Sequence, residues 1–109
     1  MKGIATQTLL ALTVLSAARG INNFAGHKES WYSLRMDKVI ERANKDLGVT
    51  TDLYWIRDDG VKMYGPWVIC AAHSSVPRYT QIDTSLGKGI VLDYHTTKDK
   101  TLIDIATDW

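Results

Sequence analysis

The stretch Ser85–Trp109, SLGKGIVLDYHTTKDKTLIDIATDW, contains two short apolar runs that predict neighbouring strands. The first run, Gly89–Leu92, ends on Asp93, and the second, Thr101–Ile103, ends on Asp104. Both runs are rich in Ile, Val and Leu and are bounded by turn-forming residues, a pattern that is typical of buried strands. The polar segment between the runs should therefore connect the two strands outside the core.

The two aspartates do not fit an apolar strand and are candidates for a functional site. A carboxylate in an apolar strand loses solvation, and pairing, protonation or hydrogen bonding must offset that cost. Asp93 and Asp104 lie 11 positions apart, so neighbouring strands can bring them into one small volume. Like charges at close range raise one pKa, and a carboxylic acid that is protonated near neutral pH can act as a general acid. We take Asp93 and Asp104 as candidate catalytic residues; the alternative is a buried, hydrogen-bonded pair with a structural role.

Composition predicts one small globular domain and excludes several functions. The chain has 109 residues, of which 45% are hydrophobic. A net charge of +1 gives neither the basic footprint of a nucleic-acid-binding protein nor a polybasic tail for a membrane surface. Cys70 is the one cysteine in the sequence, so an internal disulfide is excluded, and Cys70 is expected to be a small buried residue. His73, His95 and Asp93 match no tight metal-binding spacing, so we expect no metal and no cofactor.

The N-terminal segment Met1–Gly20 has the features of a signal peptide. Lys2 supplies a positive charge, residues 9–15 form a short apolar region, and Ser16, Ala17 and Ala18 are the small residues that signal peptidase requires. The apolar run is too short for a comfortable transmembrane helix, so we expect no stable membrane insertion after processing. The alternative is an uncleaved N-terminal helix that packs on the domain.

One amphipathic helix is predicted at Arg35–Leu47. Ser33 is the expected N-cap, Gly48 is the expected C-cap, and Asp37 is favourably placed in the first turn. The apolar stripe that should face the core consists of Met36, Val39, Ile40, Ala43 and Leu47.

Short strands separated by turns make up the rest of the predicted fold. Trp67–Ala72, WVICAA, is almost wholly apolar and is expected to be a central strand. Glu29, at the start of the predicted strand Glu29–Leu34, is expected to be solvated; the alternative is a carboxylate near the groove. With only one crossover helix, a small closed barrel of the mainly β class is favoured over an α/β sheet. The other predicted strands are Asp52–Ile56, Val61–Tyr64 and the two runs described above, and Arg78–Thr84 leads into the first of these runs.

Three sequence elements occur in a recognisable order: AAHSSVP at 71–77, LGKGIVLD at 86–93 and LIDI at 102–105. Together they resemble the three-aspartate (3D) domain, a double-psi β-barrel of bacterial wall-active proteins. This domain forms the catalytic barrel of the membrane-bound lytic transglycosylase A family and occurs in stationary-phase survival proteins related to resuscitation-promoting factors. Asp93 and Asp104 match the second and third signature aspartates, whereas His73 stands in place of the first, and Tyr94–Lys100 replaces the glycines that follow the second. The resemblance covers Glu29–Trp109 and implies a six-stranded double-psi β-barrel.

The resemblance implies that the protein acts on peptidoglycan glycan strands, without a cofactor. A lytic transglycosylase uses one acid/base carboxylate, unlike the paired carboxylates of ordinary glycoside hydrolases. The resemblance assigns this role to Asp104, while Asp93 would raise its pKa and orient the substrate. It also implies a secreted or cell-wall-associated protein if Met1–Gly20 is a signal peptide. The candidate sugar-binding residues are His73, Tyr79, Tyr94 and Trp109.

His73 leaves other functions open, because a charged imidazole beside Asp104 would lower the pKa of that carboxyl group. One alternative is a catalytically inactive glycan-binding or wall-loosening module, as in expansin-like double-psi barrels. Another is a cytoplasmic or phage-encoded interaction protein without a sugar ligand. This last alternative is favoured if Met1–Gly20 is a packed, uncleaved helix.

Overall fold

A computed structural model describes residues 14–109, in which eight strands and one helix occur. Residues 1–13 of the predicted signal peptide lie outside this description. The mainly β class is confirmed, with two strands more than the six predicted. The elements are β1 (Asn22–Phe24), β2 (His27–Tyr32), α1 (Asp37–Leu47), β3 (Tyr54–Ile56), β4 (Lys62–Tyr64), β5 (Trp67–Ala72), β6 (Gln81–Thr84), β7 (Gly87–Tyr94) and β8 (Ile103–Ala106).

Strand β5 is the centre of the sheet, as its apolar sequence predicts. The main path of hydrogen-bonded strands is β1-β2-β8-β5-β4-β3, and β7 pairs with β5 and with β6. The first half of β5 pairs antiparallel with β4 and its second half antiparallel with β8, while β7 runs parallel to β5. A second parallel pair joins β2 to β8. Strand β5 is therefore hydrogen-bonded along both edges.

The two faces of β5 belong to two different apolar clusters. Val68, Cys70 and Ala72 contribute to the first cluster, and Ile69 contributes to the second. The buried residues of helix α1 pack in the second cluster. Because side chains alternate across a strand, burial on both faces explains why almost every residue of WVICAA is apolar. Below, the surface of the sheet that carries the second cluster is called the helix face.

Helix α1 begins two residues later than predicted. Met36 is its N-cap and makes no side-chain capping bond, so the prediction of Ser33 as the cap was wrong. The prediction for Gly48 is confirmed: it adopts the left-handed conformation, with φ of 68°, and its N–H group bonds to the last turn. No helix in residues 14–109 is long and apolar enough to cross a membrane.

The prediction that Glu29 is solvated was wrong, because Glu29 lies in the middle of β2 and is fully buried. Its carboxylate accepts hydrogen bonds from Asn22 Nδ2 at 3.1 Å and from the N–H and Oγ of Ser85 at 2.8 and 2.6 Å. These three donors offset the loss of hydration. The Ser85 Oγ also accepts a 3.0 Å bond from the N–H of Leu15, whose side chain packs in the first apolar cluster.

Candidate functional site

Asp93 and Asp104 lie on either side of Ala71, on the helix face of the sheet. Ala71 is in register with Asp93 of β7 and with Asp104 of β8. Residues in register on adjacent strands project from the same face. Two strand spacings put the two aspartate Cα atoms about 10 Å apart. The structure thus brings the two carboxylates to one surface, with Ala71 on the strand between them.

A β-bulge places Asp93 on this face. Cys70 pairs with Val91 and Ala71 pairs with Asp93, so Leu92 is an extra residue in β7. In a regular ladder Leu92 would pair with Ala71, and Asp93 would pair with Ala72, whose side chain belongs to the first cluster. A shift of one residue moves a side chain to the other face of a strand, and bulges commonly re-aim side chains in this way. The apolar run that precedes Asp93 gives no sign of the bulge.

Asp104 points away from the first cluster, because its neighbours Ile103 and Ile105 both pack there. Parallel pairing of β2 with β8 puts Ser30 in register with Asp104, and Ser30 Oγ donates a hydrogen bond of 2.8 Å to Asp104 Oδ1. Burial raises the pKa of Asp104, while the Ser30 bond and the nearby His95 imidazole act to lower it. The net direction is upward, as a general acid requires.

Two predictions about the electrostatics of Asp104 need correction. The rise in its pKa comes from burial, where the sequence analysis assigned it to Asp93. The imidazole that lowers this pKa is that of His95 and not that of His73. The ring of His73 lies 6.5 Å from the ring of His95, centroid to centroid, and its Nδ1 contacts Ser75 Oγ at 2.8 Å. His95 lies near Asp104 because its Nε2 contacts the carbonyl oxygen of Leu102 at 2.7 Å. Leu102 precedes Asp104 by two residues.

Asp93 is held by helix α1 and by its own strand. Arg42 Nη2 lies 3.8 Å from Asp93 Oδ1 and donates a 3.1 Å hydrogen bond to the carbonyl oxygen of Leu92. The N–H of Tyr94 donates to Asp93 Oδ1 at 2.9 Å. Asp93 therefore sits beside a fixed cation, whereas the hydroxyl of Ser30 is the hydrogen-bond donor to Asp104. The two carboxylates have different surroundings, as different chemical roles require.

Beside Asp93, a groove of about 540 Å³ opens between the first turn of α1 and the segment that precedes it. Its wall is apolar at Leu34 and Val39 and charged at the rim. Leu34 is 53% exposed and lines the same groove as Asp93. The lining residues are Leu34, Arg35, Asp37, Lys38, Val39 and Asp93.

Ser30 and Tyr32 belong to the site but were missed in the sequence analysis. They alternate with Glu29 and Trp31 along β2, so both project from the helix face with Asp104. Burial, and then the Asp93 and Asp104 carboxylates, raise the pKa of the Tyr32 phenol. The alternation of side chains in ESWYSL predicts that Ser30 and Tyr32 share one face of the strand. It does not predict that this face is the one that carries the aspartates.

Of the four predicted sugar-binding residues, the three aromatic ones lie on different sides of the sheet. Tyr79 packs against the second cluster, and its hydroxyl donates a 2.6 Å bond to Asp46. Tyr94 and Trp109 pack against the first cluster, away from the helix face. Trp109 lies edge-on to Trp31 at 5.7 Å between ring centroids. Neither Tyr94 nor Trp109 projects from the face that carries Asp93 and Asp104.

Cys70 is fully buried, which confirms the expectation from its apolar strand, and burial raises the pKa of its thiol. In the part of the chain that the structure describes, no three His, Cys, Asp or Glu side chains are close enough to hold a metal ion. Comparisons with protein-family models, curated proteins and solved structures found no match. The function is therefore inferred from the site itself.

Proposed function

We propose that this protein is a peptidoglycan-cleaving lytic transglycosylase, in which Asp104 is the single acid/base residue. The observation that carries the proposal is the environment of Asp104. Its carboxyl group lies on the sheet face that also carries Asp93, and burial raises its pKa. A carboxyl group with a raised pKa holds its proton closer to neutral pH, where it can protonate a leaving group.

In the proposed reaction, Asp104 gives its proton to the glycosidic oxygen between N-acetylmuramic acid and N-acetylglucosamine. The bond from this oxygen to C1 of the muramyl residue breaks. The Asp104 carboxylate then takes the proton of the muramyl C6 hydroxyl, whose oxygen attacks C1 and gives a 1,6-anhydro product. Asp104 ends protonated, as it began, and no water is consumed. Asp93, held beside Arg42, would orient the glycan.

The finer fold assignment, a double-psi β-barrel over residues 29–109, is part of the same proposal. It is supported by the two parallel pairs, β2 with β8 and β5 with β7, in a sheet whose other pairs are antiparallel. The three-residue strands β1 and β3 lie at the two ends of the main path. The remaining six strands would form the barrel. The proposed location, secreted or cell-wall associated, is where this substrate lies and requires that Met1–Gly20 acts as a signal peptide.

A second candidate function is glycan binding without cleavage. It is favoured by the cationic neighbours of the two carboxylates, because Arg42 lies beside Asp93 and the His95 imidazole acts to lower the pKa of Asp104. Carboxylate oxygens in such surroundings are hydrogen-bond acceptors that suit sugar hydroxyls, and binding of this kind requires no proton transfer.

The test is incubation of the full chain with insoluble peptidoglycan, followed by mass spectrometry of the released material. The full chain is required because Leu15 packs in the core. Soluble 1,6-anhydromuropeptides that are missing with Asp104→Asn would support the transglycosylase. Protein that pellets with the wall and releases nothing would support the binding module. Protein that does neither would refute both and favour an interaction protein without a sugar ligand.

A further inference from the structure

The hydroxyl group of Tyr32 is buried on the helix face and has no hydrogen-bond partner among residues 14–109. Native proteins leave few buried polar groups unpaired, so each one calls for an explanation. Tyr32 is the last residue of β2 and is in register with Ala106, two residues after Asp104. An unpaired donor thus lies on the same face as the proposed acid, two register pairs further along the strands.

The phenol group of Tyr32 is protonated and can donate a hydrogen bond. Its pKa is raised by burial and by the Asp93 and Asp104 carboxylates, so the hydroxyl stays protonated. The same two carboxylates disfavour an anion at this position. As an acceptor for this hydroxyl, an uncharged oxygen is therefore favoured over an anionic one.

We propose that Tyr32 is a substrate-binding residue whose hydroxyl donates a hydrogen bond to an uncharged oxygen of the glycan, next to the bond that Asp104 protonates. This inference rests on the proposed function. The residue as a whole is only half-buried, and we infer that a change in its side-chain rotamer brings the hydroxyl to the glycan. The free protein leaves the hydroxyl unpaired because its partner arrives with the substrate.

Tyr64 provides a matched control on the same face. It is almost fully buried in the second cluster, and its hydroxyl donates a 2.7 Å hydrogen bond to Asn44 Oδ1 of helix α1. Both hydroxyl groups lie inside the protein, but the Tyr64 hydroxyl is bonded there, whereas the Tyr32 hydroxyl has no partner among residues 14–109. Replacement of each by phenylalanine removes one oxygen atom and leaves the ring in place.

The experiment measures Tm and the rate of 1,6-anhydromuropeptide release for the wild-type protein, Tyr32→Phe and Tyr64→Phe. For Tyr32→Phe we expect an unchanged or higher Tm and a release rate that is lower by about three- to tenfold, the usual effect of one lost neutral hydrogen bond. For Tyr64→Phe we expect the opposite, a lower Tm and an unchanged rate.

Two results would overturn the inference while the proposed function stands. One is a wild-type release rate in Tyr32→Phe. The other is a fall in Tm in Tyr32→Phe as large as that in Tyr64→Phe, since the hydroxyl would then have a partner within the protein. If the wild-type protein itself releases nothing, the proposed function fails, and the inference fails with it.

Discussion

Ser30 Oγ donates a hydrogen bond of 2.8 Å to Asp104 Oδ1 across the parallel strands β2 and β8. The bond spans 74 positions of the chain, so it depends on the register of the sheet. It satisfies one oxygen of a half-buried carboxyl group and leaves the other oxygen for chemistry. A hydroxyl can donate to a carboxylate, to a carboxylic acid or to an amide oxygen, and the bond to the charged carboxylate is the strongest of the three. The contact therefore allows Asp104 to change protonation state without loss of its partner.

The first prediction concerns Asp104→Asn. The amide oxygen can still accept the Ser30 bond, so the free energy of unfolding should change by less than about 1 kcal/mol. The amide cannot transfer a proton, so the release of anhydro products should stop. Urea unfolding and mass spectrometry of digests measure the two effects. A loss of several kcal/mol together with lost activity would mean that Asp104 is mainly structural.

The second prediction concerns the pH dependence of stability. The folded protein raises the pKa of Asp104 above its usual 3.8, so the stability linked to this group is present at low pH and is lost as pH rises through the folded pKa. Asp104→Asn removes this loss. Urea unfolding from pH 3 to pH 7 should therefore show the variant gaining stability relative to the wild-type protein as pH rises.

Asp59 is the control of opposite sign. The hydrogen-bonded Arg57 guanidinium lowers the pKa of Asp59, so the stability linked to Asp59 is present above its unfolded pKa and is lost as pH falls. Asp59→Asn should thus lose stability relative to the wild-type protein as pH rises. Two variants that shift in the same direction would contradict the electrostatic description of Asp104.

The third prediction distinguishes the two histidines. His95, when charged, lowers the pKa of Asp104, so His95→Asn should raise it. His73→Asn should leave it unchanged, because His95 and not His73 is the imidazole that acts on the pKa of Asp104. Titration of the Asp104 carboxyl carbon by NMR measures both effects. An equal shift in both variants would indicate that the histidines act as one unit.

The sequence pattern was enough to predict those parts of the fold that depend on the residues of a single helix or strand. WVICAA was identified as a central strand with correct bounds, since only a strand buried on both faces is apolar throughout. Gly48 was identified as a helix end because a left-handed residue there is nearly always glycine. Both signals are local, and neither depends on which strands become neighbours.

The site could be predicted only in part, because it depends on register. The two aspartates stood out as charges in apolar strands, and the structure does bring them to one face. The partners Ser30 and Tyr32 come from a strand more than 60 positions earlier in the sequence, and a bulge at Leu92 sets the side on which Asp93 lies. Glu29 was misjudged for the same reason, since Asn22 and Ser85 meet it only after folding.

The last prediction tests whether the segment before β1 belongs to the folded domain. Leu15 is 2% exposed and packs in the first apolar cluster, whereas its neighbour Val14 is 40% exposed. Leu15→Ala should lower the free energy of unfolding by about 2–5 kcal/mol, the usual cost of a large-to-small change in a core. Val14→Ala, the matched control, should change it by less than about 0.5 kcal/mol. The chain that begins at Arg19 lacks Leu15 and its bond to Ser85, so its urea midpoint should fall at least as far as that of Leu15→Ala. An unchanged midpoint in the shortened chain would show that the domain folds without this segment, as removal of a signal peptide would require.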